Sequence, residues 1–161
     1  MLLVGRWEVA DQLMDGVWTH VGEPAYDAYL ASQLDLAIQL LSARGAKVVL
    51  FTTPAVQARE APDGTQYPET QASRVARFNV LLRQAAARHP GVASIADLNA
   101  VLTPGNRFTD HIDGVLTRND GVHITSAGGR IVGSALLPAI VNLVRPTSTD
   151  SAPVAVATSP G

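Results

Sequence analysis

The sharpest chemical pattern in this 161-residue sequence is an aspartate three residues before a histidine, in Asp120-Gly121-Val122-His123. At a junction between a loop and a helix, such a carboxylate can accept a hydrogen bond from one imidazole nitrogen, which fixes the tautomer. The other nitrogen is then free to take a proton from a nucleophile. The pattern indicates an acid–base pair, although by spacing alone a turn-capping aspartate beside a structural histidine is the commoner case.

Two other aspartates in the same long loop, Asp110 and Asp113, compete with Asp120 as the partner of His123. Together with His111 they also have donor types that suit a divalent metal. No ligand spacing fixes a metal geometry, so we interpret this run as an acidic surface loop and expect neither a metal nor a cofactor. The chain has no cysteine, which excludes thiol nucleophiles, thiolate zinc sites and disulfides.

The elements that must position these residues follow from apolar patterning. The β-branched and aromatic run at residues 47–53 predicts a strand buried on both faces, as in a parallel sheet, and residues 2–4 and 92–96 are predicted to be shorter strands. Apolar residues at three- and four-residue steps predict helices at residues 24–45, 69–88 and from 125 or 126 to 144. The alternation predicts an α/β fold with a parallel sheet and helices on both faces.

Ligands in such sheets bind beyond the carboxyl ends of the strands. We therefore expect a site built from residues 5–11, 53–68 and 97–123. Residues 11–23 are predicted to be a loop, and Pro138 is expected to kink or restart the last helix. The second helix has charged positions that usually form a solvated face, namely Arg74, Arg77, Arg83 and Arg88.

Composition favours one globular domain, which we place at residues 1–145, followed by a disordered tail rich in proline, serine and threonine at residues 146–161. The net charge of −2 gives no basis for a nucleic-acid partner. No stretch reaches the roughly 20 apolar residues of a transmembrane segment, so none is predicted in this chain. The cellular location stays open.

The block Asp120-Gly121-Val122-His123-Ile124-Thr125, followed by small residues, resembles the last conserved block of the SGNH (serine–glycine–asparagine–histidine) hydrolase superfamily. The segment from Leu2 to Glu8 is similar to the block that contains G-x-N-D in that superfamily. The resemblance extends over residues 1–145. It implies a three-layer α/β/α, flavodoxin-like fold that lacks its first strand. More narrowly, both blocks resemble SGNH domains fused to bacterial membrane O-acyltransferases of acyltransferase family 3.

The resemblance implies acyl transfer or ester hydrolysis on a cell-surface glycan or lipid, without a cofactor. His123 would be the general base and then the acid, Asp120 its orienting partner, and Gly5 a candidate oxyanion-side residue. The partners implied are an acyl donor and an acceptor, a small molecule or a glycan, and a membrane acyltransferase domain in a full-length, membrane-tethered, extracytoplasmic protein.

Two departures from the superfamily pattern affect these expectations. The G-D-S block that carries the nucleophile has no counterpart here, so the chain has no assigned nucleophile. Trp7 stands where the superfamily has its oxyanion-donating asparagine, and we interpret it as a wall of the cleft. We expect the chain alone to be inactive. The alternative is a non-catalytic carbohydrate-binding or docking module derived from the same fold.

Overall fold

The computed structural model describes residues 1–57 and 60–144. The tail predicted at residues 146–161 lies outside the described residues. The described residues form four α-helices: α1 (Pro24–Ser42), α2 (Ala72–Arg88), α3 (Leu98–Leu102) and α4 (Ser126–Val144). This part of the chain also forms seven short strands: β1 (Leu2–Leu3), β2 (Gln12–Met14), β3 (Val17–Thr19), β4 (Val48–Phe51), β5 (Ala93–Ala96), β6 (His111–Ile112) and β7 (Val115–Leu116).

The central sheet has three parallel strands in the order β1-β4-β5. Leu2 pairs with Leu50 in the first pair of strands, and Val48 pairs with Ala93 in the second. Strand β4 is apolar throughout because it is the middle strand and both of its faces are covered. The predicted α/β fold with a parallel sheet is confirmed at this level.

Helices pack on opposite faces of β4. Val48 and Leu50 belong to one apolar cluster, and Val49 with Phe51 belongs to another, because successive side chains of a strand point to opposite faces. The first cluster contains Leu30 and Ile38 of α1 together with Phe78, Leu82 and Ala85 of α2. The second contains Leu98 and Leu102 of α3 together with Leu136 of α4.

The prediction of a loop at residues 11–23 is wrong, because strands β2 and β3 form an antiparallel hairpin there. Asp15 and Gly16 connect the two strands, with φ of +50° and +81°. Two consecutive residues with positive φ make a turn whose twist matches a two-residue hairpin, and Asp-Gly is a preferred sequence for it. The Asp15-Gly16 turn signal is present in the sequence, but the polar residues around it favoured the interpretation as a loop.

The prediction of a solvated arginine face on α2 is wrong for Arg74. Its guanidinium is buried and donates to the Val9 carbonyl at 3.1 Å and to the Asp11 carboxylate at 2.7 Å. The segment after β1 crosses this helix face and brings both acceptors. The other three arginines are paired with acids: Arg77 with Asp27, Arg83 with Asp97 and Arg88 with Asp35.

Helix α4 continues through Pro138 without a restart, so of the two expected effects of this proline a restart is wrong and a kink stays a prediction. Proline removes the partner of the carbonyl four residues earlier, which belongs to Ser134. Ser134 is exposed, so water can reach that carbonyl. Among the described helices, α4 alone is long and apolar enough to cross a membrane, by length and composition only, and one such helix is weak evidence for a membrane span.

Candidate active site

Asp120 and His123 contact each other at the start of α4. The Nδ1 atom of His123 lies 2.6 Å from Oδ2 of Asp120. The other carboxylate oxygen accepts the backbone N–H groups of Val122 at 2.9 Å and of His123 at 2.7 Å. The hydrogen bond from the imidazole, followed by those two N–H bonds, lowers the pKa of Asp120 well below its ordinary value.

These contacts determine which imidazole nitrogen carries the proton. An ionised carboxylate has no proton to donate, so Nδ1 of His123 must be the donor in its bond to Asp120. In the neutral ring, Nε2 then carries a lone pair and can accept a proton. Nε2 makes no hydrogen bond with any residue that the structure describes. The imidazole is therefore held in the tautomer that a general base requires.

The imidazole of His123 stands at an open cavity. Its side chain is 77 % exposed. The cavity has a volume of about 430 Å³. His123 lines it together with Gly5 and Trp7, which follow β1, and Thr53, which follows β4. The wall is largely apolar, with Leu3, Val56, Leu98 and Ile124 among its residues. Pockets of this size and character hold small organic ligands.

The loop that carries the pair is short and closed at both ends. Arg118 and Ile124 form an antiparallel bridge, so only five residues separate the two sides of the loop. The Gly121 carbonyl accepts the N–H of Gln57 at 3.1 Å, which fixes the tip against the segment after β4. Thr125 Oγ1 accepts the N–H of Gly128 at 3.0 Å and so supports the first turn of α4.

Gly5 lies at the carboxyl end of β1, on the same cavity. Its φ is +143°, and a Cβ there would overlap the side chain of Thr53, whose hydroxyl donates to the Val4 carbonyl at 2.7 Å. The Gly5 N–H donates to the carboxylate of Glu8 at 2.6 Å. In this conformation the Gly5 N–H that could stabilise an oxyanion is already bound by Glu8. Glycine is required at this position because the ends of β1 and β4 lie so close together.

Trp7 forms a wall between two cavities. Its residue surface is 71 % exposed, and the Arg6 guanidinium lies 5.5 Å from its ring centroid. One cavity is that of His123, and the other, of about 420 Å³, lies between the β2–β3 hairpin and α1. Trp7 therefore occupies the position of a cleft wall.

The cavity lining brings no available hydroxyl to His123. Among the described residues that line it, Thr53 alone carries a hydroxyl, and that group donates to the Val4 carbonyl. No serine of the described chain lines this cavity. A nucleophile for His123 is therefore not present in the described lining.

The competing aspartates lie elsewhere. Asp110 contacts His111, with Oδ1 and Nδ1 2.8 Å apart. Asp113 occupies the turn between β6 and β7 with a φ of +48°. Within residues 1–57 and 60–144, no group of three or more histidine, cysteine or acidic residues is arranged to hold a metal ion.

Three residues that shape this site, namely Glu8, Thr53 and Arg118, lie in the segments selected from the sequence but were not singled out there. The contact of Thr53 with Gly5 depends on the register between β1 and β4. The hydrogen bond of Glu8 to Gly5 depends on the turn that follows β1. Arg118 precedes the Asp120 loop by two residues, and nothing in its sequence context marks it as buried.

A scan against models of known protein families finds no match, and a search of curated proteins finds no similar sequence.

Proposed function

We propose that this chain is the histidine–aspartate part of an SGNH-type acyl-transfer or ester-hydrolysis site, which acts on an ester of a cell-surface glycan or lipid. The observation that carries the proposal is the 2.6 Å contact between Asp120 and His123, with the second imidazole nitrogen at an open apolar cavity. The parallel α/β arrangement and the sequence resemblance support it. The nucleophilic hydroxyl comes from outside the described residues 1–57 and 60–144.

The chemistry follows from the tautomer. A serine hydroxyl gives its proton to Nε2 of His123 while its oxygen attacks the acyl carbonyl. Asp120 stabilises the resulting imidazolium, which returns the proton to the departing alcohol and leaves an acyl-serine. Water or an acceptor hydroxyl then attacks the acyl-serine, with His123 again taking and returning the proton. The apolar wall of the cavity suits the acyl portion of such an ester.

The free edge of β1 is where we place the segment that supplies the hydroxyl. In the described structure β1 pairs with β4 and with no other strand, and Leu3 is 58 % exposed. Leu3 and Val4 also line the cavity of His123, so a strand added at this edge would border that cavity. Such a strand ending at the same edge of the sheet would bring a residue near Nε2. A membrane acyltransferase domain in a longer protein remains part of this proposal.

The second candidate is a non-catalytic carbohydrate-binding or docking module. The cavity lining without an available hydroxyl favours it, since His123 then has no nucleophile to activate. The two candidates differ in what His123 does when a hydroxyl is supplied. A catalytic pair accelerates transfer to that hydroxyl, whereas a binding module does not.

The test therefore supplies the hydroxyl as a small alcohol. The purified chain is incubated with p-nitrophenyl acetate, first alone and then with trifluoroethanol. Alone, we expect no hydrolysis that depends on His123. With the alcohol, we expect faster release of p-nitrophenol and formation of trifluoroethyl acetate, because His123 acts as the general base. His123→Ala should abolish the stimulated rate, and Asp120→Asn should reduce it at least tenfold.

The matched control is His111→Ala, because His111 is a second exposed histidine with an aspartate partner and does not line the cavity. This variant should keep the full stimulated rate. If the chain hydrolyses the ester without the alcohol, and His123→Ala abolishes that hydrolysis, the prediction that the chain lacks a nucleophile is refuted. No stimulation by the alcohol, or equal stimulation in the His123 and His111 variants, would refute the catalytic role and favour the binding module.

A further inference from the structure

Arg118 is a buried cation that the chemistry above does not use. Its residue surface is 1 % exposed, although burying a charged group without a partner is costly. Within the described chain its guanidinium forms no ion pair. It donates instead to three backbone carbonyls, those of Ala55, Leu102 and Thr109, with the Leu102 contact at 2.9 Å.

The guanidinium also has an aromatic neighbour. It lies 4.5 Å from the ring centroid of Phe108, a distance at which the face of an aromatic ring attracts a cation. Three carbonyl oxygens and one ring therefore replace water around this charge. The two terminal nitrogens make these contacts, whereas Nε is buried without a hydrogen-bond partner in the described chain, so the carbonyls and the ring are what hold the side chain in position.

The three carbonyls belong to separate parts of the fold. Ala55 follows strand β4, Leu102 is the last residue of α3, and Thr109 precedes β6. Arg118 itself forms the bridge with Ile124 that closes the Asp120–His123 loop. One side chain thus joins the base of that loop to the carboxyl end of the central strand and to a helix on the second face of the sheet.

We propose that Arg118 is a positioning residue for the Asp120–His123 pair, which holds the loop at the cavity through the carbonyls of Ala55, Leu102 and Thr109. The importance of that position for acyl transfer rests on the proposed function, whereas the positioning itself does not. The planar guanidinium suits this task because its rigid fork reaches several acceptors at once. A lysine ammonium is a compact charge on a flexible stem and cannot span the same three oxygens.

The test compares Arg118→Met and Arg118→Lys with the native chain by NMR. The first readout is the titration of the Asp120 carboxyl carbon. The second is hydrogen exchange at the N–H groups of Val122 and His123, which donate to that carboxylate. In Arg118→Met, we expect the Asp120 pKa to rise toward its ordinary value and exchange at both amides to accelerate at least tenfold. Arg118→Lys should lie between Arg118→Met and the native chain.

A loss of stability alone must not be mistaken for this effect. Leu82→Ala serves as the control, because Leu82 is fully buried in the cluster on the opposite face of the sheet. It should lower the melting temperature and leave the Asp120 titration unchanged. If Arg118→Met does not fold, Phe108→Leu removes only the stacking ring and should shift the same readouts by a smaller amount.

The inference is overturned if folded Arg118→Met titrates at Asp120 as the native chain does, or if Leu82→Ala shifts Asp120 equally. For the fallback variant, unchanged readouts in Phe108→Leu overturn it. These results are separate from the fate of the proposed function. A chain that shows the Arg118 effect but no alcohol-stimulated transfer retains the positioning role and loses the catalytic one.

Discussion

The carbonyl oxygen of Gln57 lies against the α-carbon of Gly121, so close that a Cβ at that position would overlap it. The same two residues share a hydrogen bond, from the Gln57 N–H to the Gly121 carbonyl, at 3.1 Å. Gly121 also has a φ of +77°, in the left-handed region. The tip of the Asp120–His123 loop is therefore docked onto the segment after β4, and only glycine fits there.

Gly121→Ala should destabilise the protein and displace the loop. The left-handed conformation costs an alanine about 1–2 kcal/mol, and the overlap with Gln57 adds to that cost. Gly16→Ala is the control, since Gly16 has a φ of +81° but no atom within 4 Å of the added methyl. Urea unfolding of both variants measures the difference. Equal losses of stability in the two variants would show that the contact between Gln57 and residue 121 adds nothing to the cost of the substitution.

Asn79→Leu should destabilise the carboxyl end of β4. The buried amide of Asn79 accepts the Thr53 N–H at 2.7 Å and donates to the Thr53 carbonyl at 2.9 Å. Leucine fills a similar volume but leaves two buried backbone groups without partners, at about 1–3 kcal/mol each. Gln84→Leu makes a similar change on the exposed face of the same helix and should have little effect. Equal stability of the two variants in urea unfolding would contradict the stabilising role of the Asn79–Thr53 hydrogen bonds.

Acid should remove the contribution of Asp120 to stability. Hydrogen bonds from the His123 ring and from two backbone N–H groups lower the pKa of Asp120 below the ordinary 3.8. A carboxyl group whose pKa is lower in the folded state stabilises the fold above its unfolded pKa, and this stabilisation disappears as the pH falls through the folded pKa. Asp120→Asn should therefore be less stable than the native chain at neutral pH, and the difference should shrink well below pH 3.8.

Urea unfolding across that pH range measures the effect. Asp113→Asn is the matched control, because it removes the same charge from a hairpin turn at a distance from His123. A stability difference between Asp120→Asn and the native chain that stays constant from neutral pH into acid would contradict the hydrogen-bonded carboxylate.

Trp7 should report a ligand in the cavity of His123. The chain has two tryptophans, Trp7 and Trp18, with similar exposures of 71 % and 68 %, but Trp18 does not line that cavity. In Trp18→Phe, the amide N-butylacetamide should change the fluorescence of Trp7 saturably, because its acyl end mimics that of an ester. In Trp7→Phe, the remaining Trp18 should respond only in proportion to concentration. Identical responses would show that the ligand does not enter the cavity.

The sequence was sufficient for the elements with strong patterns. Val48, Leu50 and Phe51 predicted a buried parallel strand because a middle strand has no solvent-facing side, and the apolar stripe of α1 gave its helix. The contact between Asp120 and His123 is local in sequence, so the three-residue spacing suggested it, although Asp110 and Asp113 stayed open as partners until the structure was known. The identity of the fold family stays a prediction.

The features that sequence reasoning missed depend on contacts distant along the chain. Arg74 is buried because the segment after β1 crosses it, more than sixty residues away in sequence. The burial of Arg118 requires three carbonyls from separate segments, and no pattern around residue 118 reveals them. The N–H of Gly5 is bound by Glu8 through a turn that its residue types alone do not specify.

The tautomer of His123 is the most direct measurement of whether Asp120 prepares this ring to accept a proton. Nitrogen-15 NMR of the imidazole rings, recorded where His123 is neutral, distinguishes the protonated nitrogen from the bare one. We expect the proton on Nδ1 and a bare Nε2 in the native chain, a weakened preference in Asp120→Ala, and no change at His123 in Asp110→Ala. A proton on Nε2 in the native chain, or a tautomer that Asp120→Ala leaves unchanged, would contradict the role assigned to this pair.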